Sequence, residues 1–183
     1  LDDLGQQSRH LSISRRILIL LMVFIALSTI FGYASTLTLS RQQAESLAKQ
    51  VASVHISTTS IFFNNLEIAL IEFIPVVGAI FGAYSSYATG LTTAAIAQTS
   101  SFGQQTRLSG FDLFLFLLVT PIYWMEFFCY SLAVEESFSI IISIKHGDFF
   151  AREWKWLLGS ILTVVVVLLV SARLEVLMIQ YFG

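Results

Sequence analysis

Charge is scarce in this chain. Of 183 residues, 12% are Asp, Glu, Lys or Arg and 56% are hydrophobic, with a formal net charge of −2. A soluble domain carries about a quarter charged residues, so this composition points to lipid. The missing basic excess argues against a nucleic-acid partner, because phosphates must be met by a cationic field. Cys129 is the only cysteine, which excludes an intrachain disulfide. His10, His55 and His146 are scattered over three separate segments, with no His-x-x-His or Cys-x-x-Cys, so no metal is expected. Met125 and Cys129 are one turn apart beside Glu126 and could form a soft patch, although a helix-packing surface explains them as well. No Gly-x-Ser-x-Gly and no phosphate-cradling glycine loop occurs. The chain is therefore read as non-enzymatic, without a cofactor.

What it has is long apolar runs: Ile17 to Tyr33, Leu66 to Ala88, Phe111 to Ile144 and Leu157 to Val170. About twenty apolar residues at 1.5 Å each cross a hydrocarbon core of about 30 Å. The fold class expected is all-α, a polytopic helical membrane protein with four transmembrane helices plus one or two shorter or broken helical pieces. Residues 1–14 form a cytoplasmic tail, and 15–183 a single helical membrane domain. Arg9, Arg15 and Arg16 precede the first run and place the N-terminus in the cytoplasm, in a multi-pass cell-membrane protein. No small-x-small cleavage site follows, so the first run is a retained anchor. Four spans from there leave Lys145, Arg152 and Lys155 outside, against the usual bias. Counting one overlong region as two crossings moves them inside.

Residues 40–57 read as an extramembrane amphipathic helix, opened by a Ser40/Gln43 capping box and carrying a Glu45–Lys49 pair, or equally as a membrane-proximal extension of the first span. Pro75 interrupts the second apolar region, and Gly90 is expected to end a helix there. Gly78 and Gly82 have the small-x-x-x-small spacing that lets a second helix approach closely. Pro121 breaks the third region. Trp154 and Trp156 flank Lys155 as an interfacial anchor for the last span.

Glu67, Glu72, Glu126, Glu135, Glu136 and Arg173 fall in or near apolar runs. Each costs at least about 2.5–3.5 kcal/mol at mid-membrane unless it is paired, hydrated or neutralised. Glu67 is expected near a helix start, and Glu135 and Glu136 near an interface. That leaves Glu72 and Glu126 as the deepest carboxylates. They either fix helix register or line an ion path. Arg173 requires an acidic partner, such as Glu175 or a carboxylate near Pro121, or access to headgroups.

Two segments resemble the stage II sporulation protein M family of integral membrane proteins. One runs from Phe62-Phe63-Asn64-Asn65 through Gly78 and Gly82 to Tyr87-Ala88-Thr89-Gly90. The other keeps the spacing of a Pro-His-Gly-x-x-Glu motif with Pro121 and Glu126, but has Ile122 and Tyr123 in place of the His and Gly. Thr89 likewise replaces an Asn. The resemblance covers about residues 60–145. It implies an all-helical membrane fold in which Asn64, Asn65 and Glu126 meet in a buried polar network. The family namesake looks like a membrane scaffold, and the resemblance does not carry its role in sporulation over to this chain.

Two functions follow as expectations. The first is a non-catalytic subunit that packs with other integral membrane subunits and the lipid bilayer, or as a homo-oligomer. One version of it is an accessory subunit of a membrane oxidase or copper membrane monooxygenase. The alternative is a small oligomeric channel or transporter using Glu72 and Glu126 at proline-broken helices.

Overall fold

The computed structural model describes residues 13–53, 56–99, 108–147 and 153–182. Most of the N-terminal tail, Val54 and His55, Arg107 and Arg152 lie outside the described residues. Seven helices make up the described chain: α1 (Ile13–Ser35), α2 (Arg41–Ala52), α3 (Thr58–Glu72), α4 (Val77–Thr99), α5 (Gly110–Val119), α6 (Pro121–His146) and α7 (Trp154–Phe182). Three of them, α1, α6 and α7, are long and apolar enough to cross a membrane. The fourth full-length span expected from the sequence is not among them.

Helices α1 and α6 run antiparallel. Arg16 meets Glu136 at one end, while Phe31 stacks on Phe127, 5.6 Å between ring centroids, further along. Helix α7 runs antiparallel to α6 in turn, because Ser160 bonds Glu136 and Ser171 bonds Glu126. Helix α7 presents one stripe inward, with Ser160, Val164, Leu168, Ala172 and Val176 all buried. With Ala69, Phe73, Cys129 and Ala133 the middle of that stripe forms one core cluster. Cys129 is thus a packing residue. A second cluster, of Leu27, Phe31, Phe114, Tyr123 and Phe127, fills the space between α1, α5 and α6.

The second apolar region folds as a helical hairpin, α3–turn–α4. Pro75 cannot donate to a helical ladder, and α3 stops just before it. The turn is tight: Val77 N donates to Pro75 O at 2.8 Å and Gly78 N to Ile74 O at 2.8 Å. Val76, between them, has φ 68°. A bond from residue i+2 to i around a positive φ is a γ-turn of the strained kind, costly for a β-branched side chain. Gly78 is required here, since a Cβ would lie 1.8 Å from the Glu72 carbonyl oxygen.

Gly90 does not end a helix. Helix α4 continues through it to Thr99, and a Cβ at Gly90 would lie 2.5 Å from Phe31 O and 2.6 Å from Ala34 Cβ. The glycine is there for close approach of α1 and α4. Gly110 serves the same end of the bundle, where a Cβ would sit 2.3 Å from Ser35 O. Gly82 packs more loosely, on Val134, Glu72 and Leu27.

Helix α2 has the expected capping box. Glu45 pairs with Arg41 at 2.8 Å rather than with Lys49, and the Arg41 guanidinium holds the Glu45 carboxyl below its usual range. Ala44 is buried on the α4 side of the helix.

Candidate functional site: three buried polar ties

Glu126 sits one and a half turns into α6, on the face toward α3 and α7. Its Oε1 accepts from Asn65 Nδ2 at 2.7 Å and from Ser171 Oγ at 3.3 Å. Asn64 Nδ2 in turn donates to Asn65 Oδ1 at 3.3 Å. The network therefore joins α3, α6 and α7, with Asn65 as the direct donor and Asn64 behind it. Pro121 positions this segment. Thr120 caps α6 through a 3.4 Å bond to Tyr123 N, and its hydroxyl donates to Leu117 O at 2.7 Å. Trp124 Nε1 takes up the Leu118 carbonyl at 2.8 Å. The backbone groups freed by the break are met locally, as a hydrocarbon setting demands. Beside the break lies a cavity of about 410 Å³ whose lining includes Thr89, Thr120, Tyr123, Glu126 and Glu175.

Glu72 closes α3 and is wholly buried. Ser85 Oγ donates to its Oε1 at 3.2 Å, tying the two arms of the hairpin, while Oε2 has no partner among the described residues. Gly82 beside it packs on Leu27. Leu27 is eleven residues along α1 from Arg16, about 16 Å at 1.5 Å per residue. Glu72 therefore lies well inside the bundle, away from the Arg16 end.

The third tie was not legible in the sequence. Arg16, counted there only as a flanking charge, reaches back into the bundle. Its Nη1 is 3.0 Å from Glu136 and 3.7 Å from Glu135, and its Nη2 pairs with Glu153. The guanidinium also lies 5.2 Å from the Trp156 ring centroid, within cation–π range. Ser139 donates to Glu135 at 2.7 Å and Ser160 to Glu136 at 3.2 Å. One arginine thus holds three buried carboxylates and joins the start of α1 to α6 and to the approach of α7. Glu153, in Arg-Glu-Trp-Lys-Trp, carried no signal by itself. Only the antiparallel pairing of α1 and α6 shows that these charges meet.

Two expected residues take other places. Glu67 is mid-helix in α3 and exposed, not at a helix start. Arg173 is exposed, and neither Glu175 nor any carboxylate near Pro121 pairs with it among the described residues. No group of three or more His, Cys, Asp or Glu side chains in the described residues is arranged to hold a metal ion. The chain matches no protein-family model, and no curated protein or solved structure is similar to it at a significant level.

Proposed function

We propose that this chain is a non-catalytic subunit that packs within a larger membrane protein complex. The observation that carries this reading is how its deep carboxylates are used. Glu72, Glu126 and the Glu135–Glu136–Glu153 set are each engaged by a hydroxyl, amide or guanidinium from another helix or the opposite hairpin arm. Groups spent in this way fix helix register. With so little mass outside the apolar helices, the remaining surface for interaction is the lipid-facing one.

The topology in this reading has three crossings, α1, the broken α5–α6 pair and α7, with α3–α4 as a re-entrant hairpin entering from the side where α1 ends. Arg15, Arg16, Lys145 and Lys155 then share one face, which the positive-inside rule makes cytoplasmic in a cell-membrane protein. The charge conflict of a four-span chain disappears. Trp156 to Arg173 spans about 26 Å of helix at 1.5 Å per residue, somewhat less than a hydrocarbon core of about 30 Å. Kinship with the stage II sporulation protein M family remains part of the proposal, supported by the meeting of Asn65 with Glu126. The test is gentle detergent extraction of native membranes followed by mass spectrometry of co-migrating chains. A stoichiometric complex is expected; a chain that migrates alone as a monomer would refute the reading.

A second reading, a channel or transporter, is favoured by one observation: Glu126 and Glu175 line the cavity at the α5–α6 break. Interrupted helices are a known setting for substrate sites. It requires ion flux in proteoliposomes that Glu126→Gln abolishes without loss of folding.

A further inference from the structure

Helices α3 and α7 pack against each other, and each carries a charge on its exposed side. On α3 and the turn that follows it, Phe63, Glu67, Leu70 and Ile74 form an exposed stripe, opposite the buried Asn65, Ala69 and Glu72. On α7, Leu162, Val166, Leu169 and Arg173 form the exposed stripe, opposite Val164, Leu168 and Ala172. Both charged groups sit in otherwise apolar outer surfaces. Neither has a hydrogen bond or ion pair among the described residues.

Their depths match. Asn65 and Ser171 both bond the same Glu126 carboxylate oxygen, so they share a level. Glu67 is two residues beyond Asn65 and Arg173 two beyond Ser171, on antiparallel helices. Four residues at 1.5 Å separate them by about 6 Å along the bundle axis, within reach of a long arginine side chain. A lone carboxylate facing lipid is costly, and a lone guanidinium cannot deprotonate.

We infer that the outer face of α3 and α7 is where a second copy of this chain docks, with Glu67 of each copy paired to Arg173 of the other. The charge complementarity lies within one sequence. A two-fold axis along the membrane normal keeps both groups at their own depth and produces the pair twice, as a self-complementary interface requires. The groove along Phe63, Glu67, Leu70 and Ile74, about 490 Å³, receives the α7 side chains of the partner. Packing and a polar pair together drive helix association in lipid, where apolar surface alone does not. This rests on the reading of the chain as a complex subunit and names one of its partners.

Charge exchange in the full chain tests it. The wild type, Glu67→Arg, Arg173→Glu and the double exchange are each extracted in mild detergent and weighed by native mass spectrometry. A dimer is expected for the wild type, dissociation at least tenfold easier for each single exchange, and a dimer restored in the double. The neutral variants Glu67→Gln and Arg173→Gln, which carry no misplaced charge, are expected to weaken the dimer in the same direction. A monomeric wild type, a dimer indifferent to the single and neutral changes, or a double exchange that folds yet stays monomeric would each overturn the inference. Stoichiometric capture of a different subunit, with no second copy, would overturn it while leaving the proposed function standing.

Discussion

Asn65 Nδ2 and Glu126 Oε1 are 2.7 Å apart, across sixty-one residues of sequence. Asn65→Ala removes the shorter of the two bonds to Glu126 and leaves Ser171 at 3.3 Å. Depriving a buried acceptor of its donor costs about 1–3 kcal/mol. Thermal unfolding in detergent should show that loss, while Asn64→Ala, one bond further back, should cost less. Equal effects of the two would mean that Asn65 is not the direct donor.

Arg16 is the more severe site. Removing one partner of a buried ion cluster leaves uncompensated charge and costs about 3–5 kcal/mol. Arg16→Gln is expected to lower yield and stability strongly, and Lys145→Gln, at an exposed position, far less. Each substitution removes one positive charge from the same face, so the positive-inside contribution alone predicts equal effects. Stability of the two variants in one detergent separates these outcomes.

Much of this was legible from residues alone. The apolar runs mark the long helices, Ser40 and Gln43 mark the α2 start, and Pro121 marks the α5–α6 break. Local chemistry decides each of these. What was not legible depends on which helices become neighbours. Gly90 reads as a helix end until α1 is placed 2.5 Å from where its Cβ would be. Arg16 reads as a topological flag until α6 is placed beside it. Pro75 signals an interruption but does not say whether the chain crosses or turns back. That choice is made in the turn, by Val76 in a positive-φ conformation and Gly78 against the Glu72 carbonyl.

The turn yields a stabilising substitution. Left-handed backbone costs a residue with a Cβ about 1–2 kcal/mol, and more for a β-branched one. Glycine accepts it, against an entropic cost of about 0.5–1 kcal/mol. Val76→Gly should raise thermal stability, by the order of 1 kcal/mol. A drop would show that the Val76 side chain contributes more than the strain it carries.

Glycine positions rank by what surrounds them. At Gly90 a Cβ meets backbone, and at Gly159 it meets nothing within 4 Å. Gly90→Ala is expected to separate α1 from α4 and cost about 1–3 kcal/mol, Gly82→Leu to disturb the Val134–Leu27 packing, and Gly159→Ala to be tolerated. Equal tolerance of all three in a thermal scan would contradict the close α1–α4 approach.

That the deep carboxylates tie helices together is the central claim, and Glu126 tests it most directly. Glu126→Gln keeps an acceptor for Asn65 and Ser171 and removes the titratable proton, whereas Glu126→Leu removes both. The measurement is the fraction of chain recovered in its native assembly, for both variants alongside the wild type. Glu126→Gln should recover close to wild type and Glu126→Leu should lose assembly. Equal recovery of both would contradict the claim, as would a Glu126→Gln chain that assembles fully and loses an ion flux.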